Sequence, residues 1–246
     1  MRLPHWIAGS LAGLGLFAAV SPTVQASPTD AFVAQFTATK SGLPLGNARF
    51  QLAAGDQPNC YVYSGHADPN ALVHMFLGNI EDASHFCIVD GQVQPRSFRH
   101  HVDGKPKKSY TLDFDWSAGK VRYHDEAGRS RTFAIQKGVQ DPLSLQIAAR
   151  RWLAQSGNPA NAGNKNFPLA DDDGIDTYTA VLSDGGDIQT PAGRYDTLKL
   201  VRGGDEADGL TFWLAKNADW MPIRVDKIDN GSAQYSLRLK SLSRSK

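Results

Sequence analysis

The chain has 246 residues, 41% of them hydrophobic, with 26 Lys plus Arg against 25 Asp plus Glu. That near-balance excludes the basic excess that binding nucleic acid or an anionic membrane surface requires. The length suits one large β-rich domain or two small ones.

Residues 1–26 set the expected address. Arg2 is the one formal charge before a largely apolar run from Trp6 to Val20, Pro22 breaks that run, and Val24-Gln25-Ala26 offers small residues for a cut after Ala26. This order of charge, apolar core and small-residue exit reads as a secretory signal peptide. The run contains Gly9, Gly13 and Gly15 and falls short of the ~20 residues a spanning helix needs. No cysteine follows the cut to take a lipid, so the expectation is a soluble periplasmic protein with no transmembrane anchor after cleavage. Removing 26 of the 246 residues leaves 220, with 25 basic and 25 acidic side chains and zero net charge.

Most of the mature chain reads as strands punctuated by glycine turns. Phe32 to Ala38 alternates loosely, while Gly46 to Ala53 and Cys60 to Ser64 carry short β-branched and aromatic runs. Asp68 before Pro69 and Gly78 after Leu77 frame a short helix over 69–77. Cys60 and Cys87 are the two cysteines. In an oxidising compartment such a pair is a structural disulfide, the alternative being a redox couple; the latter lacks C-x-x-C spacing and an adjoining helix start. Ile88 to Arg99 contains Asp90-Gly91, a hairpin dipeptide. Tyr110, Leu112, Phe114 and Trp116 alternate with Thr111, Asp113 and Asp115, which makes a half-buried strand. Ala118-Gly119 and Ala127-Gly128 then turn the chain into Val121 to His124 and Arg131 to Ile135.

One main helix follows. Asp141 caps it, Pro142 takes the first helical position, and Gly157 lies past its last turn. Leu145, Ala148, Ala149, Trp152 and Leu153 form its apolar stripe, and Arg150 and Arg151 favour its C-terminal dipole. Gly157 to Asn164 is a polar loop, the candidate boundary between halves. Beyond it, Thr177 to Leu182, Arg194 to Val201, Leu210 to Ala215, Pro222 to Ile228 and Ala233 to Leu242 read as strands, with Asn230-Gly231 as a hairpin turn. The fold class expected is α+β, mostly β: a long, strongly curved antiparallel sheet, unclosed-barrel-like, with one main amphipathic helix packed on it. Residues 27–246 are read as a single domain.

Catalytic patterns are sparse. The chain has no G-x-S-x-G elbow, no H-E-x-x-H helix and no phosphate loop, so no catalytic residue and no cofactor is assigned. His100 and His101 are adjacent in a strand and point to opposite faces, and Asp171-Asp172-Asp173-Gly174 lacks the order of a calcium loop, so no metal is expected. Asp113, Asp115, Asp125 and Glu126 are acids on exposed strand faces, and nothing raises one pair above another. The aromatic residues Phe114, Trp116, Trp152, Phe212, Trp213 and Trp220 have two readings, core packing or the lining of an apolar pocket.

Several segments together resemble a bacterial exported family catalogued as domain of unknown function 3108. They are Ser84 to Pro95, Phe114-Asp115-Trp116, Lys137 to Gln146, Thr190 to Lys199, Phe212-Trp213-Leu214-Ala215 and Pro222-Ile223-Arg224. The resemblance implies no catalytic residues. By fold analogy it implies likeness to periplasmic lipoprotein carriers and lipid-sensing domains, which set a helical lid on an unclosed curved sheet. The expected function is therefore non-enzymatic handling of a lipid or other apolar small molecule in envelope maintenance. A protein-interaction adaptor and a hydrolase of envelope polymers are the alternatives.

Overall fold

Alternating side chains and positive-φ turn residues build the sheet one hairpin at a time. The computed structural model describes residues 27–70, 78–157, 163–203 and 205–244. Its N-terminal strands are β1 (Phe32–Lys40), β2 (Leu43–Ala54), β3 (Cys60–Pro69), β4 (Ile80–Val89), β5 (Gln92–Val102), β6 (Tyr110–Asp115), β7 (Lys120–Asp125) and β8 (Ser130–Ala134). After the helix α1 (Ser144–Gln155) come β9 (Lys165–Ala170), β10 (Ile175–Thr190), β11 (Gly193–Arg202), β12 (Gly209–Ala215), β13 (Met221–Asp229) and β14 (Ser232–Arg244).

All fourteen strands join one antiparallel sheet in the order β8-β7-β6-β5-β4-β3-β2-β1-β14-β13-β12-β11-β10-β9. The first and last strands are thus central neighbours, Phe32 opposite Arg244. The sheet's free edges, β8 and β9, are joined in sequence through α1. Bulges at Gln35/Phe36, Asp184/Gly186 and Lys227/Ile228 add twist, and the sheet curls without closing into a barrel. Near the edges, Gln140 N donates to Pro168 O at 2.9 Å and Ala170 N to Gln140 O at 2.8 Å. Arg131 on β8 reaches the carbonyl of Asp172 in the turn after β9.

The expected mostly-β architecture with one main helix is what the structure shows. Asp90-Gly91 and Asn230-Gly231 both turn with positive φ at each residue, as a type I′ hairpin requires. Tyr110, Leu112 and Phe114 are buried and Trp116 packs partly buried beside them. Cys60 and Cys87 face each other across β3 and β4 and form a disulfide. Residues 71–77 of the expected short helix lie outside the described residues; Pro69 ends β3.

Lys165–Ala170 is a strand that the sequence left unassigned: Pro168 and flanking polar residues mask it, and an edge position tolerates the missing N–H. One expectation needs correction: the helix, expected to bury the stripe Leu145, Ala148, Ala149, Trp152 and Leu153, turns a different face inward. Ser144, Ile147, Arg150 and Leu153 are its buried row, whereas Leu145, Ala148, Ala149 and Trp152 are partly buried against the smaller of two core clusters. Arg150, expected to favour the dipole near the helix C-terminus, is 2% exposed, because α1 is wedged between the two clusters and exposes little of its circumference. Leu143 and Ile147 belong to the larger cluster and Leu153 to the smaller.

Candidate functional site

Where α1 lies across the concave face, the sheet leaves a hollow of about 310 Å³. Inward residues of β1, β2 and β3 make one wall: Ala34, Phe36, Phe50 and Tyr63. Their rings meet edge to face or tilted, Phe36 to Phe50 at 5.7 Å between centroids and Phe50 to Tyr63 at 6.1 Å, an arrangement aromatic quadrupoles favour. The opposite wall comes from the C-terminal half, including Leu200, Phe212, Leu214 and Val225, and α1 roofs the space with Leu145, Gln146, Ala149 and Arg150.

Polar groups in the lining are few. Tyr63 Oη donates to Gln146 Oε1 at 3.1 Å, and burial pushes the phenol's pKa up. The carboxylate of Asp82 is held by His100 Nδ1 at 2.6 Å. Arg202 lays its guanidinium over the Tyr178 ring, 3.6 Å from its centroid. Burial pulls the Arg150 guanidinium down to about 10, so it stays charged at neutral pH. A space of this size with apolar walls and few polar groups fits a small apolar or amphipathic ligand.

Of the six aromatic residues singled out by sequence, Phe212 lines this hollow. Trp152 stands one layer behind, edge-on to the lining residue Phe167 at 5.9 Å, and Trp220 is partly buried in the same smaller cluster. Phe114 lies in the larger core. Trp116 Nε1 donates to Pro95 O at 2.7 Å, and Trp213 packs under Arg224, 4.2 Å from its ring centroid. The sequence reading missed Phe36, Phe50, Tyr63 and Arg150. For Arg150 a signal existed: it falls three residues after Ile147 and three before Leu153, in phase with the buried row.

Three of the four acids weighed for hydrolysis are engaged elsewhere. Asp115 accepts from Ser117 Oγ, Ala118 N and Arg122 Nη2, which hold its carboxyl down to about 2. Asp125 is buried and pairs with Arg129, and Glu126 Oε1 is hydrogen-bonded with His101 Nδ1 at 2.8 Å. Asp171, Asp172 and Asp173 cluster at a turn in which Asp173 N donates to Asp171 Oδ1 at 3.0 Å. No helix among the described residues is long and apolar enough to cross a membrane.

Residues 34–238 match the family model described as Protein of unknown function (DUF3108). No curated protein matches the chain. Among solved structures, the fold is similar to that of a β-barrel-like DUF1849 protein from Brucella abortus, at 14% identity and a TM-score of 0.55 over 90% of this chain and 100% of that one. The crystal structure of MucB aligns with 90% of this chain and 56% of its own, at 10% identity and a TM-score of 0.37. At 14% identity the likeness to the DUF1849 protein concerns the fold alone.

Proposed function

The chain belongs to the DUF3108 family of proteins of unknown function, and from its architecture we propose an exported, periplasmic, non-enzymatic protein that holds a lipid or other apolar ligand between α1 and the curled sheet. The observation that carries this reading is the hollow of about 310 Å³ walled by Phe36, Phe50, Leu200 and Phe212. Burial of roughly ten methylenes there contributes about 8 kcal/mol at ~0.8 kcal/mol each, which corresponds to about micromolar affinity before ordering costs. The leader at residues 1–26, which lies outside the described residues, supports an envelope setting.

Native mass spectrometry of protein purified without detergent tests the reading. A co-purifying mass of lipid size is expected, along with saturable binding of a fluorescent fatty acid that Leu200→Trp weakens by filling the space. A clean apo mass together with no probe binding would sink it.

An adaptor role is the second reading, favoured by the exposed edge strand β8, whose unpaired backbone groups can accept a partner strand. Crosslinking from Ser130 and Thr132 to a specific protein, with no lipid bound, would support it over ligand carriage.

A further inference from the structure

Arg150 is placed where a helix rarely sends a guanidinium. It sits 2% exposed under α1 and borders the hollow. Nε donates to the Asp219 carbonyl at 2.9 Å, and the guanidinium lies over the Phe32 ring at 5.2 Å. Nη2 is buried without a hydrogen-bond partner. Among the described residues no carboxylate forms a direct ion pair with it: Asp219 is bonded by Arg244 and Asp82 by His100, and the Asp219 and Asp30 carboxylates act on Arg150 only through space. A buried charge without a directly bonded counter-ion is costly, which leaves a cation beside an apolar space.

A neighbouring space adjoins it. A second hollow of about 300 Å³ shares Leu210, Val225 and Leu237 with the first. Along the inner face of β1, Phe32 touches Arg150, Ala34 and Phe36 line the first hollow, and Ala38 lines the second. From Phe32 to Ala38 the strand runs about 20 Å at ~3.3 Å per residue. A cation at one end and an apolar length beyond it describe a site for an amphiphile.

Building on the apolar-ligand reading, we infer that the site takes a long-chain fatty acid head-in, its carboxylate accepting from Arg150 Nη2 and its tail running along β1 into the second hollow. The single charge of a carboxylate matches one guanidinium, whereas a phosphate head would leave part of its charge buried and uncompensated.

The test is displacement of the neutral dye N-phenyl-1-naphthylamine from the delipidated full chain at neutral pH, by oleate and by oleyl alcohol. Oleate is expected to bind the wild type about tenfold or more tighter than the alcohol, the range of a buried charge-assisted hydrogen bond. Arg150→Met should equalise the two ligands while keeping alcohol binding, and Arg202→Met should keep the preference. Equal affinities in the wild type overturn the head-group assignment and leave the apolar-ligand reading standing. Loss of the preference in Arg202→Met overturns the choice of Arg150. Displacement by neither ligand overturns both readings. Should Arg150→Met fail to fold, the wild-type comparison decides alone, and Arg150→Lys, which keeps the charge, should retain a preference for oleate.

Discussion

Ser84 Oγ donates to Asp141 Oδ2 across 2.6 Å, fastening β4 to the turn that leads into α1. The other carboxylate oxygen, Oδ1, accepts from Leu143 N at 2.9 Å and Ser144 N at 2.8 Å, and Asp141 N donates back to Ser144 Oγ at 2.9 Å. All three of Ser84, Asp141 and Ser144 are 0% exposed. One carboxylate thereby holds the turn that leads into the helix and ties it to the sheet.

Ser84→Ala should leave that oxygen buried without its donor. The expected loss is about 1–3 kcal/mol, read from the urea midpoint with an unchanged m-value. A change under about 0.5 kcal/mol, the size of an ordinary surface substitution, would show the tie contributes nothing.

Asp141 also predicts a pH dependence. Burial raises its pKa from 3.8 to about 6, against the opposing donors from Ser84, Ser144 and Leu143. The folded state therefore binds this proton more tightly than the unfolded chain, and stability falls as pH rises between about 4 and 6. At 1.36 kcal/mol per unit the full effect is roughly 3 kcal/mol. The stability of wild type minus that of Asp141→Asn, measured by urea unfolding, should shrink by this order from pH 4 to pH 7. A flat difference would contradict the raised pKa.

The Cys60–Cys87 bridge closes a loop with a sequence separation of 27. Loop-closure entropy assigns it roughly 3–4 kcal/mol of stability. The Cys60→Ser, Cys87→Ser double variant should lose that amount in urea while keeping its far-ultraviolet spectrum, because β3 and β4 remain paired through backbone bonds. A loss of sheet signal in native buffer would mean the bridge is needed for folding itself.

Arg150→Met should leave the ligand-free protein within about 1 kcal/mol of wild type, or more stable, since a buried charge without a direct ion pair is costly to the folded state and an apolar side chain of similar length removes that cost. Thermal unfolding of delipidated protein checks this. Destabilisation of about 3 kcal/mol or more would mark the guanidinium as structural, held by the Asp219 carbonyl and Phe32.

Local chemistry was readable in the residues themselves. Asp90-Gly91 and Asn230-Gly231 adopt the positive φ their turns require, the alternation of Tyr110, Leu112 and Phe114 marks one buried face, and Asp141-Pro142 announces the helix start. Each of these depends on interactions within a few positions, so a short window contains the whole cause. The candidate site did not yield in the same way: of the nominated aromatics only Phe212 borders the hollow, since a large ring looks alike in sequence whether it fills a core or lines a space.

Tertiary structure alone decided that the first and last strands became neighbours and what the helix covers. The pairing of β1 with β14 joins segments some two hundred positions apart, and no local propensity encodes such a contact. The inward turn of Arg150 follows from α1 being enclosed by both core clusters, a matter of packing around its whole circumference. Composition and periodicity thus determined a curled β-ribbon with one helix, whereas the charge within it arises from long-range burial.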